Sequence, residues 1–205
     1  VALFFFGPMM TEALYFGISL EDSRYIGQVL SALSLGLVAF SINLILIRGF
    51  NAFEDTRTQV ISILIINIIS VALSYLFLET LSSQQVTIGL GLAFSASYIV
   101  GLFITLSLLK KHTGRLAFST FAGHHAKLFI ASIVAMAPLF AVVYFFEWES
   151  VESSIILRAT RLAFILAVSA VLYLLFAKLF KVAEIATIAE FGRELLKKRK
   201  GRLEP

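Results

Sequence analysis

Cysteine is absent from the 205 residues, which excludes a disulfide framework and a thiolate metal site and leaves the redox compartment undetermined. Charge is scarce. Only 15% of residues are Asp, Glu, Lys or Arg, against 59% hydrophobic, and the mean hydropathy is +0.93. A soluble domain of this length needs far more polar surface. Period-2 alternation is missing too, which argues against a β-barrel. An initiator Met and a basic leader region are also lacking, because the chain opens inside an apolar run over residues 1–10. That opening does not read as a signal peptide; it reads as the interior of a longer protein, of which this is the C-terminal portion. Of the seventeen Lys and Arg, eight lie from Lys178 onward, a basic tail suited to an anionic membrane face rather than to nucleic acid.

What is present is a series of apolar runs, at residues 1–17, 25–47, 60–78, 86–109, 127–146 and 155–180. All but the short first run have the ~20 residues needed to cross a bilayer, and backbone groups in lipid must bond within their own segment. The expected fold is therefore an all-α polytopic transmembrane bundle of about six spans over 1–181. A short interfacial helix follows within an amphipathic basic tail, 182–205. Fourteen Lys and Arg fall in the second and fourth loops and the tail, against three on the other side. The positive-inside rule then places the C-terminus and the turn at 48–59 in the cytoplasm.

No catalytic constellation emerges. His124 and His125 are adjacent and His112 lies nearby, but helical metal spacing is missing and the reading is a polar loop entering a helix. Within the spans, Asn67, Ser70 and Ser74 recur at i, i+3 and i+7. With Asn43 they mark a possible polar path, although such a stripe also serves as helix–helix glue. Glu12, near the end of the first run, is expected to snorkel to the interface. Gly89, Ala93, Ser97 and Gly101 recur every four residues, a smooth ridge that lets a neighbouring helix approach. Pro138 favours a kink in the fifth run. Arg158 and Arg161, at i and i+3, are either interfacial anchors or contacts to an anionic headgroup.

The least generic stretch is RGFNAFEDTRT, residues 48–58. Asp55 is placed to cap a helix beginning near Thr58. Arg48 and Arg57 flank Glu54 and Asp55, so the charges are expected to pair within the turn, Asp55 with Arg57 above all.

This stretch resembles the R-x-F-Y-A-x-x-D-T-R-T-P segment of the bacterial MurJ/MviN family. These are lipid II flippases of the multidrug/oligosaccharidyl-lipid/polysaccharide exporter superfamily. The matching positions are Arg48, Phe50, Ala52, Asp55, Thr56, Arg57 and Thr58; the chain departs at Asn51 and Gln59. The segments around Gly36, Asn67, Gly89–Ala93 and Arg158–Leu162 are similar to the family's flanking helices. The resemblance implies that the runs are the ninth to fourteenth of fourteen spans in a bacterial cytoplasmic membrane. It further implies movement of undecaprenyl-linked lipid II to the outer leaflet by alternating access, with no covalent chemistry and no cofactor. The implied partners are lipid II, membrane lipids and the N-terminal lobe of the same protein. An apolar groove for the lipid tail is implied between 127–146 and 155–180. The alternatives are another exporter of the superfamily, for a polysaccharide-lipid or a drug, and a non-transporting membrane scaffold.

Overall fold

A computed structural model describes residues 1–15, 17–114, 118–145 and 155–180, and all regular structure among them is helical. Six helices follow in order: α1 (Ala2–Leu14), α2 (Leu20–Ala52), α3 (Thr56–Thr80), α4 (Val86–Thr113), α5 (Phe118–Phe145) and α6 (Ile155–Leu179). Five are long and apolar enough to cross a membrane. The sixth, α1, has 13 residues, about 20 Å at 1.5 Å per residue, short of a ~30 Å hydrocarbon core. The segment expected to form an amphipathic tail, 182–205, lies outside the described residues.

Helices α2 and α4 overrun their apolar segments at ends that are capped. Ser19 accepts the N–H of Asp22 at 3.0 Å, while Glu21 and Asp22 in the first turn of α2 meet the positive end of its dipole. At the far end α2 continues through Ala52. The turn expected at 48–59 is thus confined to 53–55, because a further helical turn puts Phe50 wholly out of reach of solvent. Helix α4 likewise runs to Thr113, with Lys110, Lys111 and His112 in its last turn and Gly114 at φ 69° ending it. His112 is therefore helical, and His124 and His125 lie inside α5 rather than in a loop.

The described residues form two compact units, one holding α1–α4 and the first residues of α6, the other α5 and the rest of α6 from Ala163. In the first, α4 packs against both α2 and α3, and α1 against α2. Consecutive helices α2 and α3 meet far less, since α4 stands between them. All four residues of the expected smooth ridge, Gly89, Ala93, Ser97 and Gly101, are buried, and a methyl group on Gly101 would run into Ile66 of α3. A second small-residue face of α4 meets α2. Ser95 Oγ donates to Ala32 O at 2.6 Å and accepts the N–H of Gly36 at 2.9 Å. Closer to the C-terminal end of α2, Asn43 Nδ2 donates to Tyr98 O at 3.2 Å, and Ser62 of α3 bonds Thr105 of α4 at 2.7 Å.

Helix α1 leaves helical geometry at Phe6 (φ −116°, ψ 15°), two residues before Pro8, where the proline ring crowds the preceding turn. Glycines allow α1 and α2 to cross there: a methyl group on Gly27 would strike the Pro8 backbone. Pro138 sits inside α5, which runs on to Phe145. In the second unit Ala131 and Ala177 are fully buried, with Leu128, Tyr173 and Phe176 packed around them.

The exterior is apolar, and small polar residues share the interior with apolar ones. Ser62, Ser95, Ser97, Thr105 and Asn43 are buried, whereas Ile45, Leu64, Val71, Phe103 and Leu175 are exposed. Small residues and side-chain hydrogen bonds join helices when the surroundings are as apolar as leucine, so this is the packing of a membrane bundle. Gly36→Ala is expected to wedge α4 from α2 against the Ser95 backbone, destabilising by about 1–3 kcal/mol. Gly123→Ala, with open space at its Cβ, should leave the melting temperature in detergent unchanged or slightly raised. Equal melting of the two variants would refute the seam.

Candidate functional site

The turn between α2 and α3 closes in three residues through two successive caps. Asp55 N–H donates to Phe50 O at 3.0 Å and Glu54 N–H to Asn51 O at 3.1 Å. These are the paired bonds of a Schellman motif, with Glu54 as the residue that must turn left-handed. Its φ is +57°, costly for a side chain with a Cβ. Asp55 then caps the next helix, its Oδ1 accepting the Thr58 N–H at 3.0 Å. One residue thus finishes α2 and starts α3.

The other carboxylate oxygen reaches α4. Asp55 Oδ2 lies 2.7 Å from His112 Nε2, and the side chains are about 20% and 32% exposed respectively, so neither is fully hydrated. The Phe53 ring stacks on the imidazole at 5.4 Å and 18°, and Phe50 meets it edge-on at 6.3 Å and 86°. Hydrogen bonds from the Thr58 hydroxyl and N–H, followed by the His112 contact, hold the Asp55 carboxyl below its ordinary value. The expected Asp55–Arg57 pairing is corrected here. Arg57, in the first turn of α3, and Arg48 are exposed, and the Asp55 oxygens are taken by Thr58 and His112. Sequence reasoning missed His112 because it ended the fourth segment at 109. The signal was present: three basic residues before Gly114 mark a helix C-terminus.

The other predicted residues fall in separate places. Asn43 belongs to the α2–α4 seam, bonded to Ala39 O and Tyr98 O, with its Oδ1 buried and unpartnered. It does not join the α3 stripe, where Asn67 is exposed and Ser70 and Ser74 are half-buried. Arg158 and Arg161 are half-buried and each already engages a partner within the chain. Thr56 and Thr58 lie in the first turn of α3. Among the described residues no group of three or more His, Asp or Glu side chains is placed to hold a metal.

At the opposite end of the same unit, Glu12 does not snorkel. Its side chain is about 7% exposed and accepts from Arg24 Nε of α2 at 2.6 Å, and the adjacent Thr11 hydroxyl lies 2.7 Å from Ser23 O. A polar acid one turn from a span end goes inward when the neighbouring helix supplies a guanidinium. Beside this pair is an open cavity of about 820 Å³, walled by Glu21, Arg24, Tyr25 and Gln28 of α2, by Gln84 just before α4 and by Thr87 in its first turn. Its amides, hydroxyls and carboxylate suit binding of a polar group.

Replacing Glu54 with Gly should relieve the left-handed strain and raise stability by about 1 kcal/mol, read as thermal unfolding. Asp55→Ala should lower it, and Asp55→Asn less so, since an amide oxygen still caps Thr58. The sign with pH follows from the depressed Asp55 value. Its stabilisation is present above the ordinary carboxylate value of 3.8 and is lost as pH falls through the lower folded value. The stability gap between the unsubstituted protein and Asp55→Asn should therefore shrink on strong acidification; a gap that widens would contradict the geometry.

No curated protein sequence and no solved structure matches the chain. A family model does: that described as "Lipid II flippase MurJ" matches residues 1–160, taking in α1–α5, the 53–55 turn and the start of α6. A helical membrane bundle with this turn, matched over more than three-quarters of its length, belongs to the MurJ lipid II flippase family.

Proposed function

We propose that these residues form the C-terminal lobe of a flippase that carries undecaprenyl-linked lipid II across the bacterial cytoplasmic membrane by alternating access. The family match carries this reading. The protein would perform no covalent step; it would bind, reorient and release. Tightly seamed helices suit that task. The α1–α4 unit, joined by backbone-to-hydroxyl bonds such as Ser95 to Ala32 and Gly36, is suited to move as one body against an N-terminal lobe.

In this reading the turn with Arg48, Phe50, Asp55, Thr56, Arg57 and Thr58 is cytoplasmic and holds the ends of α2 and α3. The stripe of Asn67, Ser70 and Ser74 faces the N-terminal lobe or the polar path between lobes, because an exposed asparagine in mid-span is costly against lipid. The apolar side chains of α5 and α6 offer a surface for the isoprenoid tail, and residues 182–205 form a basic tail at the cytoplasmic face.

The complete protein is expected to restore growth and cell shape to bacteria depleted of their own lipid II flippase. Failure at normal membrane levels would count decisively against the reading. Orientation is checked separately in the complete protein with any cysteine outside these residues replaced, since residues 1–205 contribute none. Ser83→Cys should react with an impermeant thiol reagent from outside intact cells, and Lys111→Cys only after permeabilisation. The reverse pattern would invert the topology without touching the family.

A further inference from the structure

The corner between the 53–55 turn and the end of α4 holds a group that transport by rigid lobes does not by itself require. His112 is gripped on three sides: by the Asp55 carboxylate at 2.7 Å, by the stacked face of Phe53 and by the edge of Phe50. We propose that His112 is a positioning residue whose imidazolium form latches the α2–α3 turn to the C-terminal end of α4, so that the stiffness of this corner follows the pH on its side of the membrane.

Three contacts grip a charged ring more tightly than a neutral one. Asp55 is fixed as an anion by the Thr58 cap, so a protonated ring adds a direct ion–ion attraction to the hydrogen bond. The Phe53 face at 5.4 Å is within range for a cation over a π-system. The last turn of α4 presents the negative end of its dipole. Against them stand the cations brought to the same corner: Lys110 and Lys111 of α4, Arg48 of α2 and Arg57 of α3, partly countered by Glu54. All four cations are exposed and so are screened, whereas Asp55 touches the ring. Loss of the proton leaves a hydrogen bond in which only the carboxylate is charged, and a weaker stack. The latch loosens without breaking. Among side chains, histidine is the one whose ordinary titration spans pH 5–8.

The effect is readable as amide exchange over residues 53–58 in the complete protein reconstituted in phospholipid vesicles. After correction for the intrinsic chemical rate, protection should fall about twofold to fivefold between pH ~6 and ~8, the worth of one partly exposed ion pair. His112→Gln should be pH-independent at the low-protection level. His112→Arg, permanently charged, should keep protection at alkaline pH. Should His112→Gln fold poorly, Asp55→Asn, which retains a cap for Thr58, must show the same loss of pH dependence. A wild-type pH profile in His112→Gln or Asp55→Asn overturns the proposal, as does pH-independent protection in the unsubstituted protein.

A second arm follows translocation of a fluorescent lipid II analogue while pH is varied on one side at a time. It rests on the flippase reading; the exchange arm does not. Slower translocation as cytoplasmic-side pH rises, absent in His112→Gln, is expected. A response only to outside pH would reverse the orientation and leave the latch standing. No translocation with intact pH-dependent exchange would defeat the transport reading alone. Translocation with a His112→Gln pH profile identical to the unsubstituted one would sever the latch from transport and overturn its positioning role.

Discussion

Helix α4 can touch α2 only because position 36 carries no side chain. At that crossing Ser95 both donates to Ala32 and accepts from Gly36, and a single methyl group on Gly36 would meet the Ser95 backbone. In lipid the hydrophobic effect does not drive helices together, so association falls to close van der Waals contact and to polar groups that find each other. Everything else in the first unit is arranged from this approach. With α4 seated against α2 on one face and against α3 on the other, its C-terminal end is delivered to the 53–55 turn. Its N-terminal end comes to the cavity beside Arg24.

The same seating explains the turn. Two helices joined by three residues would ordinarily lie side by side, yet α2 and α3 are held apart by α4. The link must therefore reverse direction and diverge within one peptide or two. The Schellman bonds to Phe50 and Asn51 end α2 abruptly, and Asp55 begins α3 at once, so no residue is spent as slack. The motif positions are spaced for this: Phe50 supplies the accepting carbonyl and a buried ring, Glu54 the left-handed step and Asp55 the cap. The cost is backbone strain at Glu54, tolerated because the bonds on both sides over-determine it.

Sequence alone reached the helical class, the membrane setting and the small-residue ridge, because hydropathy and four-residue spacing report directly on burial. It reached the Asp55 cap for the same reason that caps are local chemistry. It failed where the decisive partner was distant in sequence. His112 is 57 residues from Asp55, and nothing in either segment says that they meet until α4 is placed. Arg57, two residues away, was the obvious but wrong partner, since a residue in the first turn of α3 is carried off by the helix that Asp55 starts. Glu12 failed similarly. Its burial depends on Arg24 arriving from α2, and the short loop between them was read only for its charge. Asn43 and Asn67 look alike in sequence, yet one faces a neighbouring helix and the other the outside of the unit. A single run's periodicity cannot say which face a later helix will cover.

The two ends of this unit are fastened by chemically different pairs, and the difference bears on which end is able to change. Glu12 and Arg24 pair a buried carboxylate with a guanidinium, a group that stays charged at any biological pH. Breaking that pair would leave a buried charge unpaired, so the fastening of α1 to α2 has one state. Asp55 and His112 are each partly exposed, and the ring has two protonation states, both of which can keep a hydrogen bond to the carboxylate. A bond that weakens without breaking suits a part that must yield and return. A permanent ion pair fastens one end of the α1–α4 unit and a histidine–carboxylate pair the other, so a change of pH acts on the two ends unequally.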